Sequence, residues 1–135
     1  KQPMKKILAL LLLAATTLTI AAAGKNKVDV SFDSTVYDFG TVSSASGPVT
    51  HRYIMTNDGN EPVVILSVST TCGCTRPEYP KKPVAPGEKA EIKVNFLPEG
   101  QRGEISRNIK LRLRSASGAK RNITLRITGD VIPAK

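Results

Sequence analysis

Ile109-Lys110-Leu111-Arg112-Leu113-Arg114, then Ser115-Ala116-Ser117-Gly118, then Asn122-Ile123-Thr124-Leu125-Arg126-Ile127, read as two strands joined by a short turn. Apolar and polar residues alternate with a period of two on both sides, as side chains on opposite faces of an extended chain do. One face must be buried, because a one-residue slip would turn Lys110, Arg112 and Arg114 into the core. The same pattern runs upstream: Val28, Val30 and Phe32 alternate with Asp29 and Ser31, and Ala90, Ile92, Val94 and Phe96 with Glu91, Lys93 and Asn95. Tyr37–Val42 is a further strand in which Gly40 marks a bend or bulge. Val49–Thr56 is a β-branched and aromatic run closed by Asn57-Asp58-Gly59-Asn60, a strong turn signal. Pro62 opens Val63–Val68, a continuous apolar run of the kind found in central strands buried on both sides. Pro77, Pro80, Pro83 and Pro86 exclude a regular helix or a central strand over residues 71–87. No window holds a 3.6-residue period. About seven short strands, separated by turn signals roughly every 8–12 residues, predict an all-β, immunoglobulin-like β-sandwich with mainly antiparallel pairing.

The composition narrows function more by exclusion than by indication. The chain has 135 residues, 20 Lys+Arg against 11 Asp+Glu, one His, two Cys and no Trp. One His and two Cys cannot close a four-ligand zinc site without carboxylates. No phosphate-binding glycine loop, dinucleotide fingerprint, H-E-x-x-H or G-x-S-x-G pattern occurs, so an ordinary enzyme is not expected and no cofactor is implied.

Lys5-Lys6, the apolar run Ile7–Leu13 and the small residues Ala21-Ala22-Ala23-Gly24 have the layout of a signal peptide over residues 1–23. Met4 reads as the initiator and Lys1–Pro3 as an upstream extension. No Cys sits at the exit to carry a lipid, so the expectation is cleavage near Gly24. That leaves no transmembrane segment and one domain over 24–135, periplasmic or secreted, where a cysteine pair can oxidise.

Several motifs together resemble one bacterial family. Tyr37-Asp38-Phe39-Gly40-Thr41-Val42 is similar to its N-terminal element. Asn57-x-Gly59-x-x-Pro62, Ile65, Val68, Cys72-Gly73-Cys74-Thr75, Pro77, and Pro86-Gly87 leading to Ile92-x-Val94-x-Phe96 are similar to its core signature. Leu125-x-Ile127-x-Gly129-x-Val131 resembles its closing strand. On these residues the chain is identified as a member of the domain-of-unknown-function family 1573, with the match covering nearly all of residues 28–132. Met55 stands where the family has an aromatic, a change a soft core side chain absorbs. The resemblance implies an exported sandwich akin to Hydin-type and major-sperm-protein-type domains, and no activity.

Three features could carry chemistry. Cys72 and Cys74 can form a disulfide only if the chain folds back, for which Gly73 offers positive φ, and Thr75, Arg76 and Pro77 shape the loop. Such a pair reads either as a structural pin or as a thiol-redox element, and two thiolates one residue apart also fit Cu(I). Arg76, Lys81 and Lys82 are the cations close in sequence that could lower a thiol pKa. His51, without an adjacent nucleophile, reads as a strand residue rather than a general base. Residues 25–101 hold eight Lys/Arg against nine Asp/Glu, whereas residues 102–135 hold nine against two. Lys110, Arg112, Arg114 and Arg126 therefore form a basic stripe, either a solvated face or a surface for anionic envelope material. Nucleic acid is disfavoured because no aromatics interleave with these cations. Asp33-Ser34-Thr35 resembles a short O-glycosylation acceptor, and Asn122-Ile123-Thr124 fits a sequon by chance, mid-strand. Two expectations result: a non-catalytic interaction or scaffold module of the cell envelope, or a thiol-redox or Cu(I)-handling protein acting through Cys72 and Cys74. The sequence names neither the oligomeric state nor the envelope or protein component that would bind.

Overall fold

The period-two alternation at the C-terminus builds the longest hairpin of the protein. In the computed structural model, which describes residues 27–134, Gly103–Ser115 pairs antiparallel with Lys120–Ile132. In chain order the strands are β1 (Val30–Phe32), β2 (Val36–Ser43), β3 (Val49–Asn57), β4 (Val63–Thr70), β5 (Thr75–Glu78), β6 (Lys89–Phe96), β7 (Gly103–Ser115) and β8 (Lys120–Ile132). Sheet 1 runs β1-β3-β6-β5 and sheet 2 runs β2-β8-β7-β4, so the chain forms an immunoglobulin-like β-sandwich. Pairing is antiparallel except for β2, which crosses to sheet 2 and lies parallel to β8. The signal peptide expected over residues 1–23 and its expected cleavage point lie outside the described residues.

Inward residues of both sheets meet as the alternation requires. Met55, Ile92, Val94 and Phe96 of sheet 1 and Ile109, Leu111, Leu125 and Ile127 of sheet 2 are fully buried. Their outward neighbours Glu91, Lys110, Arg112 and Arg126 are exposed. Tyr53 is also buried, and its hydroxyl donates to the carbonyl of Arg126 at 2.6 Å, tying the sheets together across the core. Burial pushes the Tyr53 phenol up to about 12, so it stays a donor at any working pH.

Two sequence expectations are corrected. Val63–Val68 is not a central strand: among the described residues β4 is the edge of sheet 2, laddered to β7 and otherwise bridged only at Val63, to Val84. The continuous run has a different cause. A bulge between Ile65 and Ser67 inserts Leu66, which is 41% exposed, while Val63, Ile65 and Val68 oppose Ser115, Leu113 and Leu111. One extra residue lets apolar positions on either side of it serve the same face. The second correction is β5, an eighth strand inside the proline-rich stretch. It sits at the edge of sheet 1, where Pro77 has no ladder bond to lose on its open side.

The Asp38-Phe39-Gly40 element and Gly129 prove to be one structure. Asp38 Oδ1 accepts the Gly40 amide at 2.8 Å, Gly40 adopts φ 71°, and the register of β2 on β8 shifts between Asp38 and Thr41. The turn lays the Phe39 ring over Gly129 and against Phe96, ring centroids 5.0 Å apart. A Cβ at Gly129 would fall on the Phe39 ring. Gly129→Ala is therefore expected to cost about 1–3 kcal/mol, measured by urea unfolding, because the ring must leave its place on Phe96. An unchanged midpoint would show that Phe39 is free to move.

Candidate functional site

Each motif singled out in the sequence now has a place. Cys72-Gly73-Cys74 is the crossover by which the chain leaves β4 in sheet 2 and enters β5 in sheet 1. The two cysteines form a disulfide, their Cα atoms 5.2 Å apart. The crossover is tied down by more than that bond. The Cys74 amide donates to Cys72 Sγ at 3.2 Å, and the Thr75 amide to the Cys72 carbonyl at 3.2 Å. The Thr70 hydroxyl lies between the carbonyls of Cys72 and Thr75, at 3.0 and 3.1 Å, and its single proton serves the two. Cys74 and Thr75 are buried, while Cys72 is half-buried.

Gly73 does not use the positive φ expected of it, and a Cβ there would meet nothing within 4 Å. Nothing in the structure explains its being a glycine. Of the neighbouring cations, Arg76 is exposed on β5, and the Lys81 ammonium rests over the Tyr79 ring, 3.6 Å from its centroid.

His51 on β3 is held as an aromatic ring. It stacks on Tyr37 with centroids 3.8 Å apart and meets Tyr53 edge-on at 4.6 Å. Its Nε2 is buried without a hydrogen-bond partner. Desolvation holds the imidazole below its ordinary value of 6.5, opposed in part by the Asp33 carboxylate. Asp33 is itself held below its usual range, chiefly by the amide of Ile54, which donates to it at 3.0 Å. A neutral imidazole that must charge on unfolding withdraws stability as pH falls from the unfolded-state value near 6.5 toward the lower native one. The Asp33 contribution stays intact there, since it fades only below the unfolded carboxyl value of about 3.9. Thermal stability is expected to decline between pH 7 and pH 5, and His51→Phe, which keeps the stack, to flatten that decline. A parallel decline in the variant would assign it elsewhere.

Asn57, read from sequence as part of a turn, is fully buried and forms a polar clip. Its amide nitrogen donates to the carbonyls of Glu61 and Val84, each at 2.8 Å, and its Oδ1 accepts from the Gly59 amide at 3.0 Å. The spacing Asn57-x-Gly59 followed by Pro62 was the available signal.

The cations of the C-terminal hairpin lie on the outer face of sheet 2. Lys110, Arg112 and Arg114 lie exposed along β7, and Arg126 lies exposed on β8, its Nε donating to Asn108 at 3.1 Å. Lys120, which the sequence reading did not include, sits directly across from Arg114 and extends the row. No Asp or Glu occurs from Ile105 to Gly129. Both ion pairs found among the described residues, Arg52–Glu91 and Lys93–Glu78, are on sheet 1. Glu61, beside the β7–β8 turn, is bound to the Ser117 hydroxyl at 2.7 Å. No cation of the row is in an ion pair among the described residues, and the carboxylates of the same outer face, Glu104 and Asp130, pair across the far end of the hairpin. Asp33-Ser34-Thr35 forms the exposed connection between β1 and β2, with the Ser34 hydroxyl donating to the Val36 carbonyl at 2.8 Å. Among the described residues no group of three or more His, Cys, Asp or Glu is placed to hold a metal ion.

Known structures with this arrangement share the fold at low sequence identity. The PapD-like domain 7 of human CEP192 is 15% identical with a TM-score of 0.68, covering 81% of this chain and 89% of the domain. A protein of unknown function from Porphyromonas gingivalis W83 is 16% identical with a TM-score of 0.64, covering 82% of this chain and half of that one. The periplasmic chaperone SfaE is 12% identical with a TM-score of 0.55, covering 79% of this chain and 59% of the chaperone. Comparison with curated proteins gives no match. The family profile described as "Protein of unknown function (DUF1573)" matches residues 30–131.

Proposed function

The chain belongs to the DUF1573 family, and we propose that it serves there as a non-catalytic interaction module of the cell envelope. Its contact surface is the outer face of sheet 2, and its partner is anionic. The observation that carries this reading is the gathering of Lys110, Arg112, Arg114, Lys120 and Arg126 at one end of an exposed face, none of them in an ion pair among the described residues, while the carboxylates of that face, Glu104 and Asp130, lie at its opposite end. Cations packed a strand apart repel one another, and an anionic partner relieves that repulsion. The signal-peptide layout of residues 1–23 supports the envelope location. The likeness to a periplasmic chaperone is compatible with it. In this reading the Cys72–Cys74 disulfide shapes the crossover, consistent with the hydrogen bonds that fix both of its flanks.

The experiment that separates this reading from thiol-redox or Cu(I) handling compares two variants for association with isolated envelope fractions and for turnover. Lys110→Gln/Arg112→Gln/Arg114→Gln is expected to lose an association that high salt also removes. Cys72→Ser/Cys74→Ser is expected to melt lower yet associate as the wild type does. Catalysed disulfide exchange with glutathione, or Cu(I) carried through a desalting column by the wild type and not by the cysteine variant, would reverse the assignment.

A further inference from the structure

The four sheet edges are not protected alike. Natural sheets blunt exposed edges with shortness, proline, charge or bulges, because unpaired backbone groups otherwise template foreign strands. β1 is three residues long, β5 is four and contains Pro77, and β2 carries Asp38 and the Gly40 irregularity. β4 reads Val-Val-Ile-Leu-Ser-Val-Ser-Thr, eight residues without a charge, a proline or a glycine, and its one blunting device is the bulge at Leu66, after which the register resumes. That composition is the one most apt to accept another strand.

Its outer edge is also open. Among the described residues, β4 makes backbone bonds beyond the ladder to β7 only at Val63, which exchanges two with Val84 at 3.0 and 2.7 Å. The alternation of an antiparallel ladder sends the amide of Ile65 the same way as that of Val63. Past the Leu66 bulge it does the same for Val68, whose partner Leu111 has the parity of Ser115, and the Ser115 amide is turned toward β8. Val68 and Ser69 follow the bulge in regular register.

What lies beside this edge sets what it accepts. Across the ladder Ser67 faces Arg112, Ser69 faces Lys110 and Val64 faces Arg114, so small hydroxyls separate two of the three cations from the open side. A strand added to β4 would run about 10 Å from β7, two strand spacings, a gap that an arginine and a glutamate side chain close together over serine. A second copy of this chain is disfavoured, since pairing two β4 edges brings two cationic rows together.

We infer that β4 is a docking edge for an extended segment of another protein, whose outward side chains on alternate positions are carboxylates. Backbone bonds to the β4 edge supply adhesion, and Lys110, Arg112 and Arg114 select the acidic sequence. This rests on the interaction-module reading and specifies its partner; the probe below tests the edge, whereas thiol turnover tests the module, so the two can fail separately.

The test uses a fluorescent decapeptide of alternating Glu and Val, the same peptide N-methylated at alternate amides so that it cannot join a sheet, and an alternating Lys/Val control. The Glu/Val peptide is expected to bind at low salt and to weaken as salt rises. Lys110→Gln/Arg112→Gln/Arg114→Gln should reduce that affinity about tenfold or more without lowering the melting temperature, and Lys93→Gln on sheet 1 should leave it unchanged. N-methylation should abolish binding. Absence of peptide binding, equal binding of the N-methylated or Lys/Val peptide, or uptake onto phosphatidylglycerol vesicles without peptide binding would overturn the proposal. So would a β4-mediated dimer that the peptide does not compete with.

Discussion

Phe96→Ala is expected to lower unfolding free energy by about 3–5 kcal/mol. Phe96 is fully buried at the end of β6, where it stacks on Phe39 and so also supports the ring that covers Gly129. Removing it leaves a cavity between two sheets whose positions are fixed by their ladders, so the site cannot collapse to fill it. Lys93→Ala, three residues earlier on the outward face, removes only a surface contact with Glu78 at 3.5 Å and is expected to cost under about 1 kcal/mol. Denaturant unfolding of both variants checks the register of β6. Similar losses in the two would place the wrong face in the core.

Asn57→Ala is expected to cost about 3 kcal/mol without any cavity of comparable size. The side chain bonds the carbonyls of Glu61 and Val84 and the amide of Gly59; the substitution leaves the Glu61 carbonyl and the Gly59 amide without this partner, while the Val84 carbonyl keeps the Val63 amide. Each buried polar group left unpaired costs about 1–3 kcal/mol, and partial access to water offsets some of the sum. Asn57 is where β3 ends, and the loop that it clips leads directly into β4. Its loss should therefore also raise proteolytic nicking between Asn57 and Pro62, read by mass spectrometry. A stability change within about 0.5 kcal/mol of wild type would mean that water takes over these bonds.

How legible the molecule was depended on whether a feature is written in local periodicity. β6, β7 and β8 could be read in register because strict alternation leaves one way to bury Phe96, Leu111 and Leu125 while exposing Glu91, Arg112 and Arg126. The basic row followed from the same period, though Lys120 was missed because its membership depends on cross-strand pairing with Arg114 rather than on spacing. β4 was misplaced for a definite reason. A run such as Val63–Val68 has no alternation, and a bulge at an edge produces it as readily as burial on both faces does. β5 was hidden because proline argues against strands in general, and only an edge position lifts the objection.

Asn57 shows the other limit. Asparagine before Asp58 and Gly59 signals a turn, and the turn is there, but burial comes from Val84, which is 27 residues away in sequence. The disulfide between Cys72 and Cys74 lay within reach of sequence reasoning, whereas the crossover between sheets that it braces is a fact of topology.

The measurement closest to the centre of this account is residue-resolved amide hydrogen exchange across β4 in the free protein. If the second sheet ends in an open edge, the amides of Ile65 and Val68 should exchange much faster than those of Val64 and Ser69, which face β7. Protection of Ile65 and Val68 equal to that of their neighbours would show the edge already covered, and would contradict the assignment of β4 as the edge that takes a partner's strand.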